Sequence, residues 1–187
     1  IPILKRLYPS VVRRTLILLG KNEIKININN FIFNVDIRES IERKTYFLKS
    51  YEKDRMLYLT NTRRSNIFID IGAHIGFYSI LTSDYFKQIY SYEPNFRNYQ
   101  KLQENIKQNK LEKKIRTFNY GLGEKKQEIK GISKNKGGLI QTSGFSISEK
   151  NKTGEDVLVL KGDNVVKLVN EYITIKIDVE GFEYNVL

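Results

Sequence analysis

The 187-residue sequence contains no cysteine and no tryptophan, and it has only one histidine, one methionine and three prolines. Without cysteine there is no disulfide framework and no zinc site built from thiolates, so neither a disulfide-stapled secreted fold nor thiol redox chemistry is supported. No apolar run approaches the roughly 20 residues that a membrane-spanning helix requires. A chain of this length instead predicts a single domain with a hydrophobic core of its own.

Positive charge is in excess, because 32 Lys and Arg residues against 21 Asp and Glu residues give a net charge of +11. Such a surplus suits nucleic acid, an anionic membrane surface or an acidic substrate. However, the basic residues are interspersed with acidic ones. Lys, Asn, Ile and Tyr are frequent throughout the sequence, which indicates that the positive charge reflects a compositional bias of the source genome. We therefore do not expect nucleic acid as a partner, and we predict a cytoplasmic protein.

In the segment "IPILKRLYPSVVRRTLILLG" at the start of the sequence, basic residues alternate with apolar ones. We predict a helix that packs on the domain, and peripheral contact with an anionic membrane is the alternative. The next segment, "EIKININNFIFNVDI", alternates polar and apolar residues on both sides of Asn29 and Asn30, which predicts a β-hairpin with a two-residue turn. Residues 39–59 are predicted to be mostly helical. Residues 1–65 are thus expected to form an extension.

From residue 66 onward, short apolar runs alternate with helical patterns. The predicted strands are "NIFIDIG", "QIYSYE", "KIRTFNYGLGE" and "ITIKIDVEG", and the polar stretch 125–155 is expected to be a hairpin or a mobile excursion. Strands that alternate with helices predict an α/β fold with a mostly parallel sheet and helices on both faces. Residues 66–187 are therefore predicted to form the functional core.

Chemically unusual residues follow each predicted strand, where ligands bind in open α/β sheets. The glycines of "DIGAHIG" allow a sharp turn and the close approach of a ligand, and Glu93 is placed to accept both hydroxyls of a ribose. The G-x-G-x-x-G pattern that holds a pyrophosphate is absent, and Asp70 precedes the first glycine by two residues. A carboxylate at that position would repel a pyrophosphate but attract the ammonium and sulfonium groups of S-adenosylmethionine.

Four segments, "FIDIGAHIGFYSI", "YSYEPN", "NYGLGE" and "IKIDVEGFE", resemble in order and spacing the FkbM-like family of S-adenosylmethionine-dependent methyltransferases. The last segment is the most specific. The resemblance implies a Rossmann-like class I methyltransferase fold and O-methylation of a hydroxyl on a sugar, a glycan or a secondary metabolite. The strands that complete the family's fold after "IDVEG" are missing from this sequence, so we expect a C-terminally truncated fragment. Its oligomeric state is left open.

The resemblance also implies, position by position, which residues contact the cofactor. They are Asp70, Gly72, Ala73 and Gly76 at the amino-acid end, Glu93 at the ribose, and Asn95, Gly121 and Leu122 at the adenine. His74 stands where the family more often has Asn. Because it lies in the turn between the glycines, we interpret it as a residue that lines the cofactor site, with a proton acceptor or a plain turn residue as the alternatives.

Methyl transfer to a hydroxyl requires alignment of the reacting atoms and usually a base. Asp178 and Glu180 follow the last predicted strand and are the leading catalytic candidates, with helix capping or charge balance as the alternative for each. Lys176 lies on the same face as Asp178. We predict that it pairs with Asp178, Glu180 or another acid, because a buried lysine is costly without a partner, whereas exposure at a sheet edge is the alternative.

Three questions remain open at the level of the sequence. A divalent metal ion held by Asp178 and a neighbouring acid is conceivable, but two carboxylates are insufficient evidence for it. Tyr51 and Glu52 match a weaker upstream likeness to the family and would close over the cofactor, although we favour an exposed helix position. RNA methylation, which the net charge suggests, and a non-catalytic S-adenosylmethionine-binding module are the competing functions.

Overall fold

The computed structural model describes residues 2–62, 65–136, 139–148, 150, 152–165 and 172–187. Its helices are α1 (Pro2–Leu18), α2 (Ser40–Leu48), α3 (Lys53–Thr62), α4 (Phe77–Leu81), α5 (Phe96–Gln108), α6 (Gly162–Val165) and α7 (Glu183–Val186). Its strands are β1 (Glu23–Ile28), β2 (Phe31–Asp36), β3 (Ile67–Ile71), β4 (Gln88–Tyr92), β5 (Ile115–Phe118), β6 (Gly121–Gly123), β7 (Gln127–Lys136), β8 (Leu139–Ser148), β9 (Glu155–Lys161) and β10 (Ile173–Ile177). No helix within these ranges is long and apolar enough to cross a membrane.

A four-stranded parallel sheet in the order β10-β3-β4-β5 forms the centre of the fold. Every residue of β3 is buried, which agrees with its continuous apolar run, since strands of parallel sheets are covered on both faces. The prediction of an α/β fold with a mostly parallel sheet is confirmed. Because the strands are parallel, the carboxyl ends of β3, β4 and β10 lie at the same edge of this sheet.

The predicted strand "KIRTFNYGLGE" is wrong as a single element. It divides into β5, which belongs to the central sheet, and β6, which belongs to a second sheet in the order β6-β9-β7-β8. At the division, the Asn119 side chain donates hydrogen bonds to the backbone carbonyl oxygens of Glu93 (2.9 Å) and Pro94 (3.1 Å). In its described part, the polar stretch that follows forms the antiparallel strands β7 and β8. This agrees with the prediction of a hairpin.

The N-terminal hairpin forms as predicted. Asn29 and Asn30 adopt φ angles of 49° and 71°, which are the positive values that a two-residue hairpin turn requires. Buried side chains of the hairpin, such as Phe33 and Val35, share one hydrophobic core with Phe77 of α4 and other residues of the central region. The hairpin is therefore packed on the core, and the proposed boundary at residue 65 stays a prediction.

The helix α5 is capped by an asparagine and has a lysine that is almost fully buried. Asn95 caps the helix by accepting a hydrogen bond from the Asn98 backbone N–H at 3.0 Å, which satisfies an N-terminal donor. Lys101 of this helix is only 7% exposed. Its ammonium nitrogen lies 3.3 Å from a carboxylate oxygen of the buried Glu42 on α2, so the charge of Lys101 is compensated by an ion pair between two helices.

Candidate functional site

A cavity of about 820 Å³, including its open mouth, lies at the carboxyl ends of β3, β4 and β10. Its walls are mainly apolar, and the charged groups are concentrated where the strands end. Most of the residues that the sequence singled out line it, namely Gly72, Ala73, His74, Glu93, Gly121, Leu122, Lys176, Asp178 and Glu180. Three residues of the predicted site, Asp70, Gly76 and Asn95, are not part of its lining.

The turn "DIGAHIG" forms the floor of the cavity. The backbone N–H groups of Gly72 and Ala73 both donate to the carbonyl oxygen of Tyr92, at 2.9 and 3.0 Å, which ties the turn to the end of β4. Gly72 has a φ angle of 78°, and a Cβ atom at this residue would overlap the backbone carbonyl oxygen of Asp178. Only glycine fits here, because the turn after β3 packs directly against the segment after β10.

Glu93 is held in place by backbone donors. One oxygen of its carboxylate accepts a hydrogen bond from the N–H of His74 at 2.7 Å, and the other accepts from the N–H of Asn95 at 2.9 Å. The residue is only 5% exposed, and burial raises the pKa of its carboxyl group to about 7, although these hydrogen bonds act in the opposite direction. Its fixed carboxylate at the cavity fits a ligand that offers two adjacent hydroxyl groups.

Lys176, which lines the cavity, forms an ion pair with the fully buried Asp70. The Lys176 ammonium nitrogen lies 3.0 Å from a carboxylate oxygen of Asp70 and donates to the backbone carbonyl oxygen of Gly72 at 2.7 Å. The other Asp70 oxygen accepts a hydrogen bond from the hydroxyl group of Ser79 at 2.6 Å. The prediction that Lys176 pairs with an acid is confirmed, and its nearest acid is Asp70. Asp178 lies farther away, at 4.0 Å.

His74 has a backbone φ angle of 52° and lies in the cavity wall. Burial lowers the pKa of its imidazole to about 3, and the nearby ammonium groups of Lys101 and Lys176 act in the same direction. Its two ring nitrogens are buried and have no hydrogen-bond partner among the described residues. The ring is therefore neutral at physiological pH, and the backbone N–H of His74 is one of the two backbone donors that orient Glu93.

Asp178 and Glu180 are the solvent-accessible carboxylates of the site. The Asp178 side chain is 54% exposed, and Glu180, which has a φ angle of 50°, is exposed as well. Both lie where β10 ends, so both reach solvent and the cavity at once. Among the described residues, no group of three or more His, Cys, Asp or Glu side chains is arranged to hold a metal ion.

Aromatic residues on one side of the cavity were not predicted to belong to it. Tyr51 lines the cavity and stacks on Phe77, with ring centres 4.4 Å apart, so the favoured interpretation of an exposed helix position is wrong for this residue. Tyr78 donates a hydrogen bond from its hydroxyl group to Glu52 at 2.7 Å. Neither contact has a signal in the sequence, because both join segments that are far apart along the chain.

Phe145 and Ile147 of β8 complete the lining. They come from the polar stretch that was expected to be a hairpin or an excursion, and their spacing of two residues places both on the same face of the strand. This alternation in "GFSIS" was the available signal for an apolar face. What the sequence did not indicate is that this face turns toward the ends of β3 and β4.

A parallel α/β sheet with a glycine turn after one strand and a fixed carboxylate after the next suits a cofactor that contains a nucleoside, and the family match identifies the domain as a class I methyltransferase, whose cofactor is S-adenosylmethionine. A family model described as the TRM5/TYW2 methyltransferase domain matches residues 27–131, and the chain belongs to this family. The cavity fits the cofactor, because Glu93 suits its ribose and the apolar walls suit its adenine. Membership in the FkbM-like family is not confirmed.

Several solved structures are similar to this chain. TYW2 of M. jannaschii in complex with AdoMet has a TM-score of 0.41 and 22% identity, and the match covers 52% of this chain and 42% of that one. Trm5b of Pyrococcus abyssi has a TM-score of 0.41 and 17% identity, covering 51% and 27%. A methyltransferase FkbM of Methylobacillus flagellatus has a TM-score of 0.44 and 20% identity, covering 66% and 29%. The chain spans less than half the length of each, and no curated protein matches it.

Proposed function

We propose that this chain transfers the methyl group of S-adenosylmethionine to a nucleoside of RNA. Membership in the TRM5/TYW2 family carries the proposal, and the similar solved structures include a tRNA m1G37 methyltransferase of M. jannaschii and a complex of aTrm5 with tRNALeu. The net charge of +11 supports it, because contacts with phosphate provide most of the affinity of such complexes. The proposal reverses our expectation that nucleic acid is not a partner.

The residues that line the cavity would have different roles in such a reaction. Glu93 would hold the ribose of the cofactor, and Gly72 and Ala73 would bring the backbone of the turn close to it. When bound, S-adenosylmethionine supplies an electrophilic methyl group. Asp178 and Glu180 are exposed carboxylates at the same cavity, and one of them would accept the proton that the acceptor atom loses.

A second candidate is O-methylation of a hydroxyl on a glycan or a secondary metabolite. It is supported by the segment "IKIDVEGFE", which resembles the FkbM-like family and contributes Lys176, Asp178 and Glu180 to the cavity. A carboxylate beside a bound hydroxyl can accept its proton. The two candidates share the cofactor site and the base, so they differ only in the acceptor.

The test measures transfer of a labelled methyl group from S-adenosylmethionine to unfractionated tRNA and, in parallel, to glycan extracts. We expect label in the tRNA, sensitive to ribonuclease, and binding of tRNA that weakens steeply as the salt concentration rises. Label in the glycan fraction alone would replace the RNA proposal with the second candidate. Binding of S-adenosylmethionine without transfer to either would indicate a non-catalytic module.

A Glu180→Gln variant sharpens this experiment. We expect it to bind S-adenosylmethionine as the wild type does; if Glu180 rather than Asp178 is the base, it should transfer methyl groups at least about a hundredfold more slowly. Asp163→Asn is a suitable control, since Asp163 is 84% exposed on α6 and is not part of the cavity lining. Equal transfer rates in the wild type and Glu180→Gln would remove Glu180 from the mechanism.

A further inference from the structure

The amino-acid end of S-adenosylmethionine carries an ammonium and a carboxylate on one carbon atom, so its binding site must offer a negative and a positive group side by side. Asp70, to which the sequence motif assigns this end, does not meet the requirement. It is 0% exposed and is not part of the cavity lining. Both of its oxygens are engaged, one by Lys176 and the other by Ser79.

Lys176 and Asp178 offer the required pair of charges. Both line the cavity, and the Lys176 ammonium nitrogen lies 4.0 Å from a carboxylate oxygen of Asp178. That distance is longer than a hydrogen bond, so the two groups attract each other as an ion pair but do not donate to or accept from each other. Two adjacent groups of opposite charge match the two charged groups of an α-amino acid.

Each of these side chains also has bonding capacity left. An ammonium group has three donors, and Lys176 gives one of them to the Gly72 carbonyl oxygen while it forms ion pairs with Asp70 and Asp178. The Asp178 carboxylate accepts no hydrogen bond within the described part of the chain, and its side chain is 54% exposed. A ligand would therefore compete with the 4.0 Å ion pair between these two side chains but not with the hydrogen bond from Lys176 to Gly72.

We infer that Lys176 and Asp178 form the subsite for the amino-acid end of S-adenosylmethionine, with Lys176 binding the carboxylate and Asp178 binding the ammonium. Asp70 is then a positioning residue, which fixes Lys176 from below without touching the cofactor. The inference rests on the proposed function, since it requires that the cavity binds S-adenosylmethionine. It also leaves Glu180 as the carboxylate that is available to act as the base.

The experiment compares two ligands that share the adenosine part. S-adenosylhomocysteine carries the amino-acid end, whereas methylthioadenosine lacks it. We expect Asp178→Asn and Lys176→Met each to weaken binding of S-adenosylhomocysteine by about tenfold or more, since each loses a charge-assisted hydrogen bond. Binding of methylthioadenosine, measured by calorimetry on the same protein samples, should stay within about twofold of the wild-type value.

Lys161→Met and Asp163→Asn are matched controls. These two residues form an ion pair at 3.4 Å with side chains that are 47% and 84% exposed, away from the cavity lining. We expect both control variants to bind both ligands as the wild type does. Asp178→Asn keeps the test decisive if Lys176→Met fails to fold, because Asp178 is exposed and its replacement leaves the buried pair of Asp70 and Lys176 intact.

The outcomes distinguish this inference from the proposed function. If the wild type binds both ligands and Asp178→Asn binds S-adenosylhomocysteine unchanged, the subsite is wrong while the cofactor site stands. The same conclusion follows if the variants lose affinity for both ligands equally. If the wild type binds neither ligand, the proposed function fails and the inference fails with it.

Discussion

At the scale of single residues, Asp70 shows what a motif can and cannot predict. An acid two positions before a glycine turn indicated a charged role at the strand end, and the structure does place Asp70 there. Its partner had no signal in the sequence, because Lys176 is 106 positions away and meets Asp70 only through the register of β10 against β3. The pattern of one strand does not fix its alignment with a distant neighbour.

The buried pair predicts a specific loss of stability. Asp70→Asn removes the negative charge that compensates Lys176, whose side chain is only 13% exposed. Leaving a buried charge without its partner costs about 3 kcal/mol or more, so we expect the free energy of unfolding in urea to fall by about that amount. The variant should also lose part of its preference for S-adenosylhomocysteine over methylthioadenosine, since Lys176 is no longer fixed.

Two further variants make the Asp70 prediction decisive. Adding Lys176→Met to Asp70→Asn should restore part of the lost stability, because the unpaired charge is then gone. Asp163→Asn, at an exposed ion pair, should change the unfolding free energy by less than about 0.5 kcal/mol. An Asp70→Asn protein that unfolds at the wild-type urea concentration would show that the pair contributes nothing.

At the scale of elements, the turn between β3 and α4 was predicted well and for a physical reason. Its glycines indicated a sharp reversal, and Gly72 and Gly76 do have φ angles of 78° and 92°. The predicted strand "KIRTFNYGLGE" was wrong as a single element. Apolar residues both precede and follow the point within "FNYGLG" where the chain leaves the central sheet, so the pattern does not mark the division between β5 and β6. Periodicity indicates strands but not the sheet to which each belongs.

Gly72 and Gly20 provide a matched pair for testing the close approach in the turn. Both have positive φ angles, 78° and 70°, but a Cβ atom at Gly72 would overlap the Asp178 carbonyl oxygen, whereas one at Gly20 meets nothing within 4 Å. Gly20→Ala should cost only the strain of the backbone, about 1 to 2 kcal/mol. Gly72→Ala should cost clearly more and abolish binding of S-adenosylhomocysteine, because the turn must move.

The Gly72 comparison is measured by thermal unfolding and calorimetry on both variants. Equal destabilisation by the two substitutions would mean that the backbone angle alone matters and that the packing of the turn against the segment after β10 does not. Binding retained in Gly72→Ala would separate the cofactor site from this turn.

At the scale of the whole molecule, the extension and the core are joined more closely than the change of pattern near residue 66 indicated. The side chain of Asn105 on α5 accepts a hydrogen bond from the Asn34 backbone N–H of β2 at 2.8 Å and donates to the Ile75 carbonyl oxygen at 3.0 Å. Asn109 forms a similar pair of hydrogen bonds with the backbone of Ile32.

These contacts explain why part of the fold was predictable and part was not. The hairpin turn was predictable because Asn29 and Asn30 carry their preference for positive φ locally. The docking of the hairpin was not, since an asparagine on a helix usually indicates a surface position. The same holds for the cavity: its floor comes from motifs that are local in sequence, whereas its apolar walls come from β8 and the segment before α3.

The central claim is that the cavity binds S-adenosylmethionine with Glu93 at the ribose, and it makes a prediction about pH. Burial raises the pKa of the Glu93 carboxyl group to about 7, so the group is largely neutral below that pH and loses its full capacity as an acceptor. Cofactor affinity should therefore rise by about tenfold between pH 6 and pH 8.

Calorimetric titration of S-adenosylmethionine into the chain at pH 6, 7 and 8 tests this claim most directly. Glu93→Gln should bind weakly and without dependence on pH. Asp163→Asn is the control, because Asp163 is 84% exposed and is not part of the cavity lining, and this variant should retain the rise. Wild-type affinity in Glu93→Gln, or no binding of S-adenosylmethionine by the wild type at any pH, would contradict the account.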